Sequence, residues 1–185
     1  MPRRAANLEA MDRSPAEWAV LGLIAEAPTH GFAIARELAW DGSLGRIWTV
    51  PRPLVYRAMK TLERDRMVAP LAIEPGDAAP PRRIVGITRS GRRALRQWFS
   101  EPVVHVRDLR GPLLLKLALI DRSGDDPTRL LQTQADLLDD QLRSLRRAAR
   151  SAGGFDRTLM AWRAENAMAA KRFVTQALDR AGADS

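Results

Sequence analysis

The chain has 185 residues, a formal net charge of +8 at pH 7 and no cysteine. The missing cysteine excludes disulfides, thiolate metal sites and a cysteine nucleophile, and it is compatible with the reducing cytoplasm, where we expect the protein to act. No apolar run reaches the ~18 residues of a transmembrane helix, so we expect no contact with a membrane. Residues 82–96 carry a cluster of arginines and no acidic residue. Such clustering favours phosphate binding over solubility alone.

Two short helices are predicted near the N-terminus, after an arm of residues 1–13. Ser14 is a good N-cap, a proline follows at the first helical position, and Glu17 can close a capping box. This helix should run to about Glu26. A second helix is predicted from His30 to Trp40 and ends at a glycine-containing turn.

The third predicted helix, from Pro51 to Met67, has two chemically different sides. At ~100° per residue, one side is apolar and should pack on the first two helices; it carries Leu54, Val55, Ala58, Met59 and Leu62. The opposite side carries Arg52, Pro53, Tyr56, Arg57, Lys60 and Arg64. This separation predicts a helix that packs on one side and presents cations on the other.

A β-hairpin is predicted next. Val68–Ile73 should form its first strand, Glu74–Pro81 a proline-rich loop, and Arg82–Ile87 the returning strand. Thr88 should then cap a fourth helix that ends near Pro102. The elements from 14 to 101 therefore predict a winged helix-turn-helix in a mainly α protein with a small β-hairpin wing.

The remaining chain is predicted to be a connector, 102–111, and a helical region, 112–181. Apolar residues recur there at steps of three and four, a spacing that favours pairing of helices from two chains. The predicted interface comprises Leu131, Leu138, Leu142, Leu145, Leu159, Trp162, Asn166 and Phe173. An antiparallel pair within one chain is the alternative, and Asn166 would be the position that sets the register.

Five segments resemble the PadR family of winged-helix regulators, in the family's order and with its gaps. They are LGLI at 21–24, THGFAI at 29–34, LVYRAMKTLER at 54–64, ITRSGRRAL at 87–95 and LLLKLA at 113–118. Three positions depart from the family pattern, which has tyrosine at Phe32, glycine at Arg66 and an aromatic residue near Val85. A residue other than glycine at a left-handed helix end costs about 1 kcal/mol, so Arg66 affects where the third helix ends.

The resemblance implies a homodimer that represses transcription at a roughly palindromic operator and is relieved by a small effector, often an aromatic one. In this setting Arg52 and Arg57 are candidates for base edges, because arginine can bind guanine through two hydrogen bonds. Thr49, Tyr56 and Lys60 are candidates for phosphate, and Arg82 and Arg83 would reach DNA from the wing. Pro53 and Arg64 complete the predicted DNA-binding set.

The effector site is the least constrained prediction. Trp18, Trp40, Trp98 and Trp162 are candidates to line an aromatic pocket between the two regions, although tryptophan at helical spacing more often belongs to a core.

The sequence lacks the metal-ligand, phosphate-loop and nucleophile-elbow motifs of common enzymes, so we expect no catalysis, cofactor or metal. The alternative function is a winged-helix protein-interaction module without sequence-specific DNA binding. A MarR-like regulator is disfavoured because the segment before Ser14 is too short for an N-terminal dimerisation helix.

Overall fold

A computed structural model describes residues 13–75 and 81–183, and most of the predicted arm therefore lies outside the described residues. The chain divides into two compact units, and the boundary in sequence falls between Phe99 and Ser100. The first unit contains α1 (Pro15–Glu26), α2 (Gly31–Glu37), α3 (Arg52–Arg64), β1 (Val68–Glu74), β2 (Arg82–Ile87) and α4 (Arg89–Ser100). The order of three helices, a hairpin and a fourth helix confirms the predicted winged helix-turn-helix and the mainly α fold class.

Helix α1 begins as its sequence predicts. The Ser14 hydroxyl accepts a hydrogen bond from the backbone N–H of Glu17, and the Glu17 carboxylate accepts one from the Ser14 N–H. The reciprocal bonds satisfy two N–H groups that a helix end otherwise leaves without partners. The helix is then buried on most of its surface and forms the centre of the first unit, with Leu21 and Ile24 at most 1% exposed.

Helix α2 is shorter than the predicted span from His30 to Trp40. His30 lies before the helix as its N-cap, where Nδ1 accepts a hydrogen bond from the Ala33 N–H at 3.2 Å. The helix ends at Glu37, and the segment from 38 to 51 then turns irregularly while burying Leu38, Leu44 and Val50. These buried side chains hold a long connection against the unit although it has no regular structure.

Helix α3 separates its two sides as predicted, with one correction. Val55, Ala58 and Leu62 are buried at 3% exposure or less, whereas Leu54 is 40% exposed. Leu54 lies at the margin of the apolar arc in the first helical turn. The buried side of the helix begins only at the next residue, Val55. The prediction that Leu54 packs on the first two helices is therefore wrong.

The wing is an antiparallel hairpin in which Val68 pairs with Ile87 and Glu74 with Arg82. A register irregularity lies between Pro70 and Ala72. Strand β2 also pairs on its other side with Thr29, whose N–H and C=O bond Val85 at 3.0 and 2.8 Å. This bridge joins the hairpin to the start of the helix-turn-helix. The tip, 76–80, lies outside the described residues.

Arg66 adopts the left-handed conformation, with φ of 56°. Two hydroxyls at the start of α4 fix it there, since Thr88 Oγ1 and Ser90 Oγ each donate to the Arg66 carbonyl at 2.8 Å. Thr88 also caps α4, accepting from the Gly91 N–H at 3.1 Å, as predicted. The chain thus ends α3 with a residue that is strained at this φ.

Replacing Arg66 with glycine is expected to stabilise the protein by about 1 kcal/mol, because glycine adopts positive φ without steric cost. The free energy of unfolding in urea measures the effect. Arg66→Ala is the matched control, since it removes the same side chain but keeps the strain, and it should give no gain. Equal stabilities for the two variants would show that the backbone at this position is not strained.

The second unit is helical. A 3₁₀ turn at Val106–Asp108 and a π-helical turn at Leu109–Leu113 lead into α5 (Leu114–Ser123), α6 (Thr128–Ser151) and α7 (Gly154–Ala183). The predicted connector, 102–111, thus contains the 3₁₀ turn and the start of the π-helical turn, which continues past it to Leu113. The wider turn is consistent with Pro112, which lacks the N–H of a regular helix.

Side chains from α5 and α6 hold the backbone of 101–104. Gln134 is completely buried and bonds both backbone groups of Val103, accepting from its N–H at 2.7 Å and donating to its carbonyl at 2.9 Å. Lys116 is 3% exposed and donates to the Glu101 carbonyl. Burial lowers the pKa of Lys116 to about 8, against the opposing effect of the Glu101 charge.

Helices α6 and α7 are joined by two residues and form an antiparallel hairpin, tied by an ion pair between Lys171 and Asp139. Their packing within one chain buries Leu131, Leu138 and Leu142 at 5% exposure or less. These three leucines were predicted to contact a second chain, and the structure instead places them in the core of one chain. Leu145 and Leu159 are half-buried.

Candidate nucleic-acid interface

A groove of about 490 Å³ lies between the start of α2, the flank of α3 and the base of the wing. Five of the predicted DNA-binding residues line it, namely Arg52, Tyr56, Lys60, Arg82 and Arg83. Its floor is apolar, with Met59 and the buried Val85. The fold therefore brings cations from α3 and from the wing to a single concave surface, although they are about 20 to 30 residues apart in sequence.

Arg52 is held by two aromatic rings. Its guanidinium carbon lies 5.4 Å from the centre of the Phe32 ring and 5.7 Å from that of Tyr56. Both distances are within the range of cation–π attraction, which restricts the long side chain before any ligand binds. Gly31 allows this arrangement, because a Cβ there would lie 2.7 Å from Cε1 of Tyr56.

Arg83 is engaged by an acidic residue of α3. Its guanidinium forms two hydrogen bonds with the Glu63 carboxylate, one of them 2.8 Å long between Nη1 and Oε2. The hydrogen bonds and charge of Glu63 raise the pKa of Arg83. The pair connects β2 to α3. In this arrangement the two terminal nitrogens of Arg83, its guanidinium fork, both bind a carboxylate.

The other predicted DNA-binding residues lie outside the groove. Pro53 and Arg57 point away from the buried side of α3 and are exposed. Arg64 is also exposed and bonds Asp65 at 2.9 Å. Burial by itself raises the pKa of Asp65, and hydrogen bonds with Arg64 and Arg13 lower it below its usual value. Thr49 is exposed, and its hydroxyl donates to the Gly45 carbonyl at 2.8 Å.

The four candidate effector tryptophans occupy different environments. Trp18 and Trp98 stack on each other inside the first unit, with ring centres 4.9 Å apart and 8° between their planes. Trp40 is 79% exposed in the segment after α2. Trp162 is 64% exposed on α7 and lines a cavity of about 410 Å³ in the second unit.

The cavity at Trp162 lies beside the 3₁₀ turn. A neighbouring cavity of about 560 Å³ shares Val106, Arg107 and Asn166 with it and extends to Phe173. Three arginines and a histidine line the two cavities, and no carboxylate occurs among the described residues that line them; the four residues are His105, Arg107, Arg110 and Arg163. Arg107 also lies 3.6 Å from the carboxylate of Asp108. This surface suits a small molecule with an anionic group and an apolar body.

Sequence reasoning missed three residues of the groove: His30, Phe32 and Glu63. Glu63 follows the cationic positions of α3 at helical spacing, so a helical projection of the acidic residues would have placed it on the flank beside Arg52. Phe32 gave no such signal, because its contact with Arg52 depends on how α2 crosses α3.

No group of metal-ligating side chains and no helix long and apolar enough to cross a membrane occurs within 13–75 and 81–183.

Part of the chain is similar to known transcriptional regulators. Residues 20–97 match the model of the transcriptional regulator PadR-like family. A probable transcriptional regulator of Mycobacterium tuberculosis is 31% identical over 97 residues, which are 52% of this chain and 49% of that protein. The chain therefore spans about half the length of this relative.

Two crystal structures of Bacillus subtilis PadR resemble the chain at low identity. The complex with operator DNA is 18% identical, with a TM-score of 0.45, and covers 88% of this chain and 97% of its own. The complex with p-coumaric acid is 17% identical, with a TM-score of 0.43, and covers 91% and 99%.

Proposed function

We propose that the chain, whose residues 20–97 match the PadR-like family of transcriptional regulators, acts in the cytoplasm as a sequence-specific DNA-binding repressor. In this proposal residues 14–101 bind DNA, and residues 112–181 provide dimerisation and effector binding. The family assignment supports regulation of transcription, and the groove supports DNA as the ligand.

The observation that carries the proposal is the cationic surface of α3 and the wing. Helix α3 buries Val55, Ala58 and Leu62, so its opposite side is free to enter a major groove. Arg52 and Arg57 would then meet base edges, while Lys60 and Tyr56 would bind phosphates. Arg82 would reach the backbone from the wing.

A homodimer is proposed from the outer face of α7. Trp162 and Phe173 are exposed there at 64% and 39%, and Asn166 lies between them. Their spacing places them on one stripe of the helix, and an apolar stripe of this kind is stabilised when a second helix covers it. Two copies related by a dyad would read a roughly palindromic operator, with recognition helices about 34 Å apart or a multiple of that distance.

A small effector is proposed to act through the second unit. Of the four candidate tryptophans, Trp162 offers an exposed ring beside cations, whereas Trp18 and Trp98 cover each other. A ligand there would relieve repression only if it binds the DNA-competent and incompetent dimers with unequal affinity.

The test is binding of purified protein to DNA from its own promoter and to random DNA, across a salt series. We expect a preference of ~10³-fold or more for the promoter and a steep loss of affinity with salt. Sedimentation of the same sample with operator DNA should show two chains per site. Weak and equal binding to both DNAs would instead favour a winged helix that binds an acidic protein partner.

A further inference from the structure

Glu63 is the acidic residue among the described residues that line the groove, and five predicted DNA contacts line the same groove. Its carboxylate takes both hydrogen bonds of the Arg83 fork. Carboxylate and phosphate present similar pairs of oxygens to a guanidinium, so each can replace the other. The contact that Arg83 makes with Glu63 is the same kind that it would make with DNA.

We propose that Glu63 limits the affinity of this protein for DNA by competing with a backbone phosphate for Arg83. The inference rests on the proposed function, because it concerns the same DNA-binding surface. Arg83 binds Glu63 in the free protein and exchanges that partner for a phosphate when DNA arrives. Glu63 thereby sets how much the wing contributes to the affinity for DNA.

The exposure of the pair makes this exchange feasible. The side chains of Arg83 and Glu63 are 54% and 32% exposed. Ion pairs so open to solvent contribute little to stability, because water and salt screen them. The backbone of Arg83 is fixed by its pairing with Ile73 in the hairpin, so only the side chain has to turn.

Glu63 acts against DNA in two ways. It occupies a guanidinium that would otherwise neutralise a phosphate and release a counterion. It also places a negative charge among Arg52, Lys60 and Arg82, where a polyanion binds. Replacement by glutamine removes the charge and weakens the hold on Arg83 while keeping the size of the side chain.

The test compares binding of the full-length native protein and Glu63→Gln to a promoter duplex and to a random duplex between 0.05 and 0.3 M salt. We expect E63Q to bind both duplexes about 3- to 10-fold more tightly at 0.1 M salt. Its plot of log K against log salt should be steeper by about one, as expected for one additional phosphate contact. In the Arg83→Gln background the same substitution should raise affinity less than twofold, because the guanidinium is already gone and only the smaller effect of the removed negative charge remains.

Glu74→Gln is the matched control, since it removes a negative charge at the exposed end of β1, where Glu74 pairs in register with Arg82. An equal gain from E74Q, or a gain from E63Q that is undiminished without Arg83, would overturn the inference and leave only a general charge effect. Unchanged or weaker binding by E63Q would also overturn it. If the native protein shows no promoter preference but E63Q binds random DNA more tightly through Arg83, the inference stands and the proposed sequence specificity fails. Absence of DNA binding by every form overturns both.

Discussion

Replacing Arg52 with lysine is expected to reduce the preference for the promoter over random DNA by roughly 10- to 100-fold, the value of one bidentate contact with guanine. Lysine keeps the positive charge but has neither the planar fork nor the same packing against Phe32 and Tyr56. The salt dependence of binding should therefore remain as in the native protein. Competition titrations with the two duplexes measure both quantities.

Two further substitutions separate base reading from charge. Arg52→Ala removes both, so it should lose the same part of the preference, roughly 10- to 100-fold, and also make the salt slope shallower by about one. Arg146→Lys changes an exposed arginine of α6 in the second unit and should alter neither. If R52K retained the full preference, Arg52 would be a phosphate contact and Arg57 would become the leading candidate for base reading.

Replacing Lys116 with methionine is expected to stabilise the protein at pH 7 by about 2 kcal/mol. Burial lowers the pKa of this lysine from 10.5 to about 8. At pH 7 the charged form is therefore buried at a cost of about 3 kcal/mol, of which its hydrogen bond to the Glu101 carbonyl offsets about 1 kcal/mol. Methionine fills a similar volume without a charge to desolvate.

The pH dependence tests this account. Between about pH 8 and 10.5 the unfolded chain holds a proton on Lys116 that the folded chain has lost, so stability rises with pH across this window. Urea unfolding at several pH values should show that the advantage of K116M disappears as pH approaches 10.5. Lys171→Met removes a lysine that is 37% exposed and should leave the rise in place. A constant difference between K116M and the native protein would show that Lys116 does not lose its proton in that window.

The winged domain was predictable because its signals are local. Ser14 and Glu17 form the capping box that their spacing predicts, and the opposite faces of α3 follow from a period of 3.6 residues. Leu54 shows where this reasoning ends. A helical projection states which side of a helix an apolar residue occupies, but the extent of burial depends on how far the neighbouring helix reaches.

Long-range pairings were not predictable from one sequence. Trp18 and Trp98 stack although 80 positions separate them, and Arg83 of β2 bonds Glu63, which lies 20 positions earlier on α3. The apolar residues of α6 recur at steps of three and four, and a helix of the same chain or of another chain could cover them equally well. The structure buries Leu131, Leu138 and Leu142 within the chain, and thereby leaves Trp162 and Phe173 as the exposed aromatic positions of the predicted interface.

The hairpin of the wing also bears on how this protein avoids aggregation. Strand β2 has a neighbour on both sides, whereas β1 pairs only with β2 among the described residues and presents Leu71 and Ile73 at 61% and 73% exposure. An open apolar edge of this kind invites the strand of another molecule. Pro70 has no N–H to donate, and the irregular register at Leu71 interrupts the repeat that an incoming strand would follow. The wing can therefore carry apolar residues at its edge while resisting edge-to-edge polymerisation.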